Sequence, residues 1–359
     1  MSRPSQDLLH ALPKTDLHVH LDGSLRPSTL LELARSRDLL PDLRDTGAVL
    51  AACRAPAECS SLEDYLKIFD ITLQVMQDAD SLERIAWELA EDAHGENVRW
   101  LEVRYSPILH QRQGLELDAV VAAVQKGLER AQRCYGIRCG QIICGIRHLD
   151  PSGSSDLARL AARWRGRGVV GFDLAGAERD HPARAHLEAF GIVRAANVAV
   201  TVHAGEAYGP ASIHQALHYA GARRLGHGTR LIEDRELLAW VNDFRIAVEV
   251  CLASNVQTRA VKSLSEHPIG RFLREGLRVT LNTDNRLVSG TTVTGEYAMA
   301  VDAFDLDLDA VLGLVLNGFK AAFLPLATKQ RLIEQVLAEF EALGARFSGE
   351  IARRRRLLI

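Results

Sequence analysis

The amino-acid sequence predicts an α/β protein with a (β/α)8 TIM barrel and a helical insertion after strand one that covers the C-terminal mouth. Short apolar segments alternate with longer amphipathic segments, which is typical of a parallel sheet with helices outside it. Several apolar segments are nearly continuous in Val, Ile and Leu, as expected for strands with both faces covered. Eight strand–helix units in one chain favour a closed barrel over an open sheet.

Each of the eight predicted strands precedes a segment of helical character. The predicted strands are Thr15–His20, Val98–Pro107, Ile137–Arg147, Gly168–Gly176, Val198–Glu206, Arg223–Leu231, Ile246–Asn255 and Leu277–Asn285. Predicted helices after strands include Pro182–Ala196, Pro210–Ala220 and Glu233–Val241.

The connection between the first two predicted strands, residues 27–97, is much longer than usual. It contains three predicted helical segments, among them Ser61–Asp78 and Ser81–Gly95, and we interpret it as an insertion over the barrel mouth. Because no linker rich in Gly, Ser or Pro divides the chain, we expect residues 1–359 to form a single domain.

The composition of the chain indicates which kinds of molecule it is expected to bind. A formal net charge of -3 argues against a nucleic-acid-binding surface, which would show a basic excess. No segment approaches the ~20 apolar residues of a membrane span, and the first residues lack the apolar core of a signal peptide. The six cysteines include no C-x-x-C pair. We therefore expect a cytoplasmic protein with reduced cysteines and a small-molecule partner, and leave its oligomeric state open.

Four residues at predicted strand ends could bind a metal ion. His18 and His20 are two apart on a strand and therefore point to the same side. His203 and Asp284 end strands five and eight, at the barrel face that carries chemistry in this fold. Hydrogen-bonded core histidines and a helix N-cap aspartate are the simpler alternatives for the separate motifs. Together the four residues suit zinc or a similar divalent ion.

Two further residues could move protons beside such a metal. Glu206 lies just beyond strand five, where a partly desolvated carboxylic acid can donate a proton, although an N-cap or salt bridge is also possible. His227 lies between two glycines and could orient or deprotonate a water, or could simply mark a tight strand exit. A metal ion lowers the pKa of a bound water, so this set indicates metal-assisted hydrolysis.

Six segments resemble the adenosine deaminase family of the amidohydrolase superfamily, in the family's order, from residue 12 to about residue 300. The matching segments are Leu12–Ser24, Glu102–Pro107, Asp173–Gly176, His203–Glu206, Gly226–Thr229 and Asn282–Asn285.

The resemblance implies a role for each matching site residue. One Zn²⁺ per chain would be bound by His18, His20, His203 and Asp284. Glu206 would protonate ring N1 of an adenine, and His227, with Asp284, would orient and deprotonate the attacking water. Gly176 would offer its backbone N–H to ring N3, Asp22 would face the ribose, and His20 would also border the substrate.

The sequence departs from the family pattern at two positions. Many relatives have two consecutive aspartates where this chain has Asp284 and Asn285. The Asn285 amide can donate to ring N7 without the protonation that a second aspartate would need. Cys251 lacks the proline that often follows it in such enzymes, and we interpret this cysteine as structural.

We therefore expect zinc-dependent hydrolytic deamination of adenosine or 2′-deoxyadenosine to inosine or 2′-deoxyinosine plus ammonia. The alternatives are a deaminase of another adenine compound, either aminodeoxyfutalosine in menaquinone biosynthesis or adenine, and a non-enzymatic relative with a decayed site. The intact set of ligand and acid/base residues argues against decay. Free-adenine relatives tend to carry Glu-Gly-Thr where this chain has Asp22-Gly23-Ser24.

The predicted insertion contains residues that bear on the substrate's sugar end. Four apolar residues at helical spacing could pack in the core or form a hydrophobic wall over the site: Leu62, Tyr65, Leu66 and Phe69. Arg26 and Lys67 could meet an anionic substituent, or could simply be solvated.

Overall fold

The computed structural model describes residues 3–56, 59 and 61–347. Within these residues, parallel strands follow one another around a barrel, each hydrogen-bonded to the next in chain order. The strands are β1 (Lys14–His20), β2 (Val98–Tyr105), β3 (Arg138–Ile146), β4 (Val169–Ala175), β5 (Ala199–Ala204), β6 (Arg224–His227), β7 (Ala247–Val250) and β8 (Arg278–Leu281). The predicted (β/α)8 fold and its eight strands are confirmed.

Helices separate successive strands, and further helices follow β8. They are α1 (Gln6–Ala11), α2 (Pro27–Ser36), α3 (Thr46–Cys53), α4 (Leu62–Leu66), α5 (Phe69–Thr72), α6 (Ala79–Gly95), α7 (Leu117–Tyr135), α8 (Pro151–Trp164), α9 (Leu187–Ala195), α10 (Pro210–Gln215), α11 (Arg235–Asp243), α12 (Leu252–Gln257), α13 (Ile269–Arg274), α14 (Arg286–Ser289), α15 (Val293–Phe304), α16 (Leu308–Ala321) and α17 (Leu326–Ala342). Among the described residues, none of these helices is long and apolar enough to cross a membrane.

Side chains as well as backbone groups join the last strand to the first. The backbone N–H of His20 donates to the Asp284 carbonyl, and the N–H of Asp284 donates to the His18 carbonyl, both at 2.7 Å. One step earlier, the N–H of Leu17 donates to Oδ1 of Asn282 at 2.9 Å. An asparagine side chain thus takes the place of a backbone partner at this seam.

Strand β1 shows how the barrel directs polar residues toward the site. Leu17 and Val19 are fully buried in the hydrophobic core. Because side chains alternate along a strand, His18 and His20 project to the opposite side, into the barrel mouth.

The long connection between β1 and β2 contains α2 to α6. The predicted helix Ser81–Gly95 is present as α6, whose first turn is capped by the Asp78 side chain accepting from the N–H of Ser81. The predicted helix Ser61–Asp78 is divided into α4, α5 and a 3-10 turn. The backbone stays helical at the break, but the N–H of Ile68 bonds three residues back rather than four. Periodicity does not reveal such a tightening.

Several predicted strands extend too far at their C-terminal ends. β7 ends at Val250 and α12 begins two residues later, inside the predicted strand Ile246–Asn255. His227 is the last residue of β6 and Asp284 lies three residues beyond β8, and both have a positive φ, of 63° and 58°, outside the range of regular strand backbone. The chain therefore leaves the regular sheet at or soon after these two residues.

Replacing Asn282 with Ala should destabilise the barrel seam. The buried N–H of Leu17 would lose its acceptor, and an unsatisfied buried group costs about 1–3 kcal/mol. Thermal or urea unfolding should show this loss for N282A. The control N242A removes a half-buried asparagine at the surface, whose side chain donates to the Glu275 carbonyl, and should change stability by less than about 0.5 kcal/mol. Equal effects would contradict the role of Asn282.

Candidate active site

Three histidines and one aspartate converge at the floor of the barrel mouth. One ligand atom from each of His18, His20, His203 and Asp284 lies within 4.8 Å of the others. Nε2 of His20 is 3.2 Å from Nε2 of His203 and 3.3 Å from Oδ1 of Asp284. Nε2 of His18 is buried and lacks a hydrogen-bond partner among the described residues. Nitrogens directed at one shared point fit a divalent cation, and the donor set suits zinc.

Acidic residues behind the cluster orient two of these histidines. Nδ1 of His18 lies 2.9 Å from Oε2 of Glu249, and Nδ1 of His203 lies 2.9 Å from Oδ2 of Asp173. Carboxylates in these positions keep the hydrogen on Nδ1, so that each Nε2 lone pair faces the cluster. The guanidinium of Arg104 bridges the two acids, at 2.9 Å from each.

Asp284 is held in its charged form. Burial opposes ionisation, but the adjoining imidazole of His18, followed by those of His227 and His20, holds the pKa of Asp284 well below its usual range. A carboxylate ligand is therefore available at neutral pH.

Glu206 lies on the cavity wall beside this cluster. Burial, together with the charges of Asp284 and Glu178, raises the pKa of Glu206 well above its usual range. Its Oε2 is 3.5 Å from Nε2 of His227. A carboxylic acid that stays protonated at neutral pH can donate a proton to a bound molecule.

A hydrogen-bond chain fixes which nitrogen of His227 carries hydrogen. The backbone N–H of Ile269 donates to Nδ1 of His267, so the neutral ring carries its hydrogen on Nε2 and donates to Oδ1 of Asn255. The Asn255 amide then donates to Nδ1 of His227 at 2.9 Å. Burial and the neighbouring His18 hold the pKa of His227 well below its usual range. The neutral His227 therefore presents an N–H at Nε2 toward the site.

One buried carboxylate organises the turn that carries Glu206. Glu178 follows β4 and accepts hydrogen bonds from four consecutive backbone N–H groups at 2.6 to 3.0 Å. These groups belong to residues 205–208. Glu178 thus fixes the position of Glu206 through the backbone and raises its pKa through charge.

A cavity of about 390 Å³ opens above the cluster, a volume suited to a small ligand. Asp22, Gly176 and Asn285 border it. Oδ1 of Asp22 is buried without a hydrogen-bond partner among the described residues, which leaves an acceptor for a ligand. Gly176 has φ of 94°, a conformation that strongly favours glycine. A Cβ at Gly23 would lie 1.9 Å from Oδ1 of Asn285, so this glycine makes room for the Asn285 side chain.

Helices α4 and α5 form the outer wall of the cavity. The four apolar residues that the sequence placed at helical spacing all border it: Leu62, Tyr65, Leu66 and Phe69. Tyr65 is also buried in the core, with its hydroxyl 2.8 Å from Oγ of Ser289. Lys67 lies at the rim and pairs with Asp64, whereas Arg26 binds Glu91 and Asp92 away from the cavity.

Sequence reasoning found the residues at strand ends and missed those behind them. The missed residues are Arg104, Glu178, Glu249, Asn255 and His267. Arg104 and Glu249 carried a signal, because a charged residue inside an apolar strand needs a buried partner. Asn255 and His267 lie in a helix and a loop, where polar residues are ordinary.

Similarity to known proteins extends over most of the chain. A family model described as adenosine deaminase matches residues 13–339. Adenosine deaminase 1 of Streptomyces coelicolor is 43% identical over 352 residues, covering 93% of this chain and 88% of the relative. Adenosine deaminase of Mycobacterium marinum is 40% identical, covering 93% and 96%.

Solved structures show the same architecture. A cog1816 amidohydrolase from Burkholderia ambifaria, with bound Zn, is 25% identical with a TM-score of 0.87, covering 96% of this chain and 94% of that one. The N6-mAMP deaminase of Arabidopsis is 28% identical with a TM-score of 0.82, covering 92% and 99%. Because the family model spans most of the sequence and these relatives cover nearly its whole length, the chain belongs to the adenosine deaminase family.

Proposed function

We propose that this enzyme uses zinc to deaminate adenosine and 2′-deoxyadenosine hydrolytically, releasing ammonia and forming inosine and 2′-deoxyinosine. The main support for this proposal is the cluster of His18, His20, His203 and Asp284, which lies at the floor of a cavity with the buried acid Glu206 on its wall. Family membership and the names of the relatives support this reaction.

The proposed site divides proton transfers between two residues. Zinc held by the cluster would act as a Lewis acid and lower the pKa of the attacking water. Glu206 donates its proton to ring N1, which makes C6 electrophilic. Asp284 accepts a proton from the attacking water on its carboxylate and passes it to the 6-amino group. The C6–N bond then breaks, ammonia leaves, and the C6 carbonyl forms as the added hydroxyl returns a proton to Glu206.

His227 orients the attacking oxygen by donating from Nε2. The family resemblance implied that His227 and Asp284 together deprotonate the water. The hydrogen-bond chain through Asn255 favours a division in which His227 donates and Asp284 accepts the proton. Such a preorganised donor stabilises charge that develops on oxygen.

The remaining contacts hold the nucleoside. We assign the Gly176 N–H to ring N3 and the Asn285 amide to ring N7, with His20 bordering the reacting end. Asp22 accepts a hydrogen bond from the ribose 5′-hydroxyl, a role supported by its unpartnered buried oxygen.

Since residues 27–97 supply the outer wall of this site, we also propose that residues 1–359 form one domain. A cytoplasmic location stays a prediction.

A nucleoside with an anionic 5′ extension is the second candidate substrate class. Lys67 and Arg112 border the outer part of the cavity, where such an extension would lie. Nη2 of Arg112 is 3.8 Å from Oδ1 of Asp70, and both side chains are at least half exposed. This pair could open to receive a carboxylate, as in aminodeoxyfutalosine.

Elemental analysis should find about one zinc per chain, as in other sites with histidine and carboxylate ligands. Removal with a chelator should abolish turnover and lower the thermal unfolding temperature, because bound metal stabilises the folded state. Zinc should restore both properties. Full activity in metal-free protein would contradict the proposed cofactor.

Replacing Glu206 with Gln should lower kcat by roughly 10²-fold or more, the range for general acid catalysis, while zinc is retained. In the wild type, turnover should fall as pH rises through the raised pKa of Glu206, because the protonated form is the active one. The control E236Q alters an exposed glutamate on α11 and should keep wild-type kinetics. A turnover equal to wild type in E206Q would remove Glu206 from the mechanism.

A panel of 6-aminopurine compounds should identify the substrate. We expect adenosine and 2′-deoxyadenosine to show the highest kcat/KM, with 5′-deoxyadenosine lower because Asp22 would lose its hydrogen-bond donor. The variant D22N should narrow the difference between adenosine and 5′-deoxyadenosine. A tenfold preference for aminodeoxyfutalosine, about 1.4 kcal/mol, would favour the second candidate.

A further inference from the structure

A second large cavity lies at the opposite end of the barrel from the site described above. Its volume is about 870 Å³, and the N-terminal ends of β4 to β8 border it together with the connection between α16 and α17. It therefore shares no lining residue with the catalytic cavity.

The lining of this cavity carries charge of one sign. Among the described residues, no Asp or Glu borders it. The basic residues that do are Arg165, Arg223, Arg245, Arg278, Lys320 and Lys329. The chain as a whole has a formal net charge of -3, so the positive charge around this cavity is not a general property of the protein. A concave surface of one sign concentrates the electric field and attracts ions of the opposite sign.

Three of the arginines that border the cavity have no carboxylate partner in the described part of the chain. Within residues 3–56, 59 and 61–347, no carboxylate lies within ion-pair distance of Arg223, Arg245 or Arg278. Arg245 donates instead to the backbone carbonyl of Gly276 and to Asn242. Nζ of Lys329 donates to the Lys320 carbonyl at 2.9 Å.

One guanidinium has a buried donor without an acceptor. Nε of Arg278 is buried and lacks a hydrogen-bond partner in the described part of the chain. Burial, followed by repulsion from Arg245, lowers the pKa of Arg278. Because buried donors in folded proteins are nearly always satisfied, this arrangement leaves a place for an anionic acceptor.

We propose that this cavity binds a small anion with two or more phosphate groups. Guanidinium groups form short, charge-assisted and often bidentate hydrogen bonds with phosphate oxygens, which suits several arginines around one cavity. The volume accommodates a nucleotide. The ring of Phe244, 63% exposed, also borders the cavity and offers an apolar face to a planar base.

The test is isothermal titration of the zinc-loaded enzyme with inorganic pyrophosphate and with GDP at low salt. GDP lacks the 6-amino group that the proposed reaction removes. We expect both ligands to bind, with affinity falling as salt rises, because exposed charges are screened. Tighter binding of GDP that is lost in F244A would identify a nucleotide, and equal binding would identify the phosphate groups alone.

Two double variants locate the binding. R245Q/R278Q should weaken pyrophosphate binding by about tenfold or more, because the charge-assisted hydrogen bonds from the two guanidinium groups to phosphate oxygens would be lost. R165Q/R223Q changes exposed arginines at the same cavity, so it tests the proposal even if the first variant folds poorly. The control R133Q/R235Q removes exposed arginines elsewhere and should bind as the wild type does.

Two outcomes would overturn the proposal: no binding by the wild-type enzyme, or equal binding by all the variants. Zinc extraction by pyrophosphate would give the same heat in every protein, so it cannot imitate a loss confined to the cavity variants. Adenosine turnover, measured on the same samples, reports separately on the proposed deaminase reaction.

Discussion

Two arginines buried inside the barrel hold the acidic residues that orient the metal cluster. Arg104 bridges Asp173 and Glu249, and Arg224 bridges Glu249 and Glu102. All five side chains are almost completely inaccessible to solvent. Burial opposes ionisation of Glu249, but the two arginines keep its pKa below the usual range. Buried charges of this kind persist only as a balanced set, because removing one leaves its partner uncompensated.

The net charge of this buried network bears on the charge of the metal ion that the cluster would bind. Its three carboxylates and two guanidinium groups sum to one negative charge, and Asp284 adds a second. A divalent cation at the cluster would bring the total to zero while the histidines remain neutral. The network therefore favours a metal of charge two for a reason independent of ligand geometry.

The strand pattern and the polar residues at strand ends were predictable because both follow from local sequence. Alternation placed His18 and His20 on one side, and the barrel brought His203 and Asp284 to the same mouth. The partners behind them were not predictable. Glu249 is 231 residues from His18, and only the closure of the barrel brings the two together. The positive φ of Asp284 was also hidden, since it depends on how β8 joins β1.

The residues around the cavity come from two parts of the fold: the ends of the barrel strands and the helical segment between β1 and β2. The cluster and its acid/base groups are dispersed over the ends of several strands, each fixed by buried charges or by a backbone turn. The outer wall comes from α4 and α5, within one continuous segment that enters and leaves the barrel between β1 and β2. In evolutionary terms, this segment can diverge as a unit while the chemistry is inherited unchanged. Recombination at its two ends offers a route by which one ancestral catalyst could give rise to enzymes that act on different nucleosides.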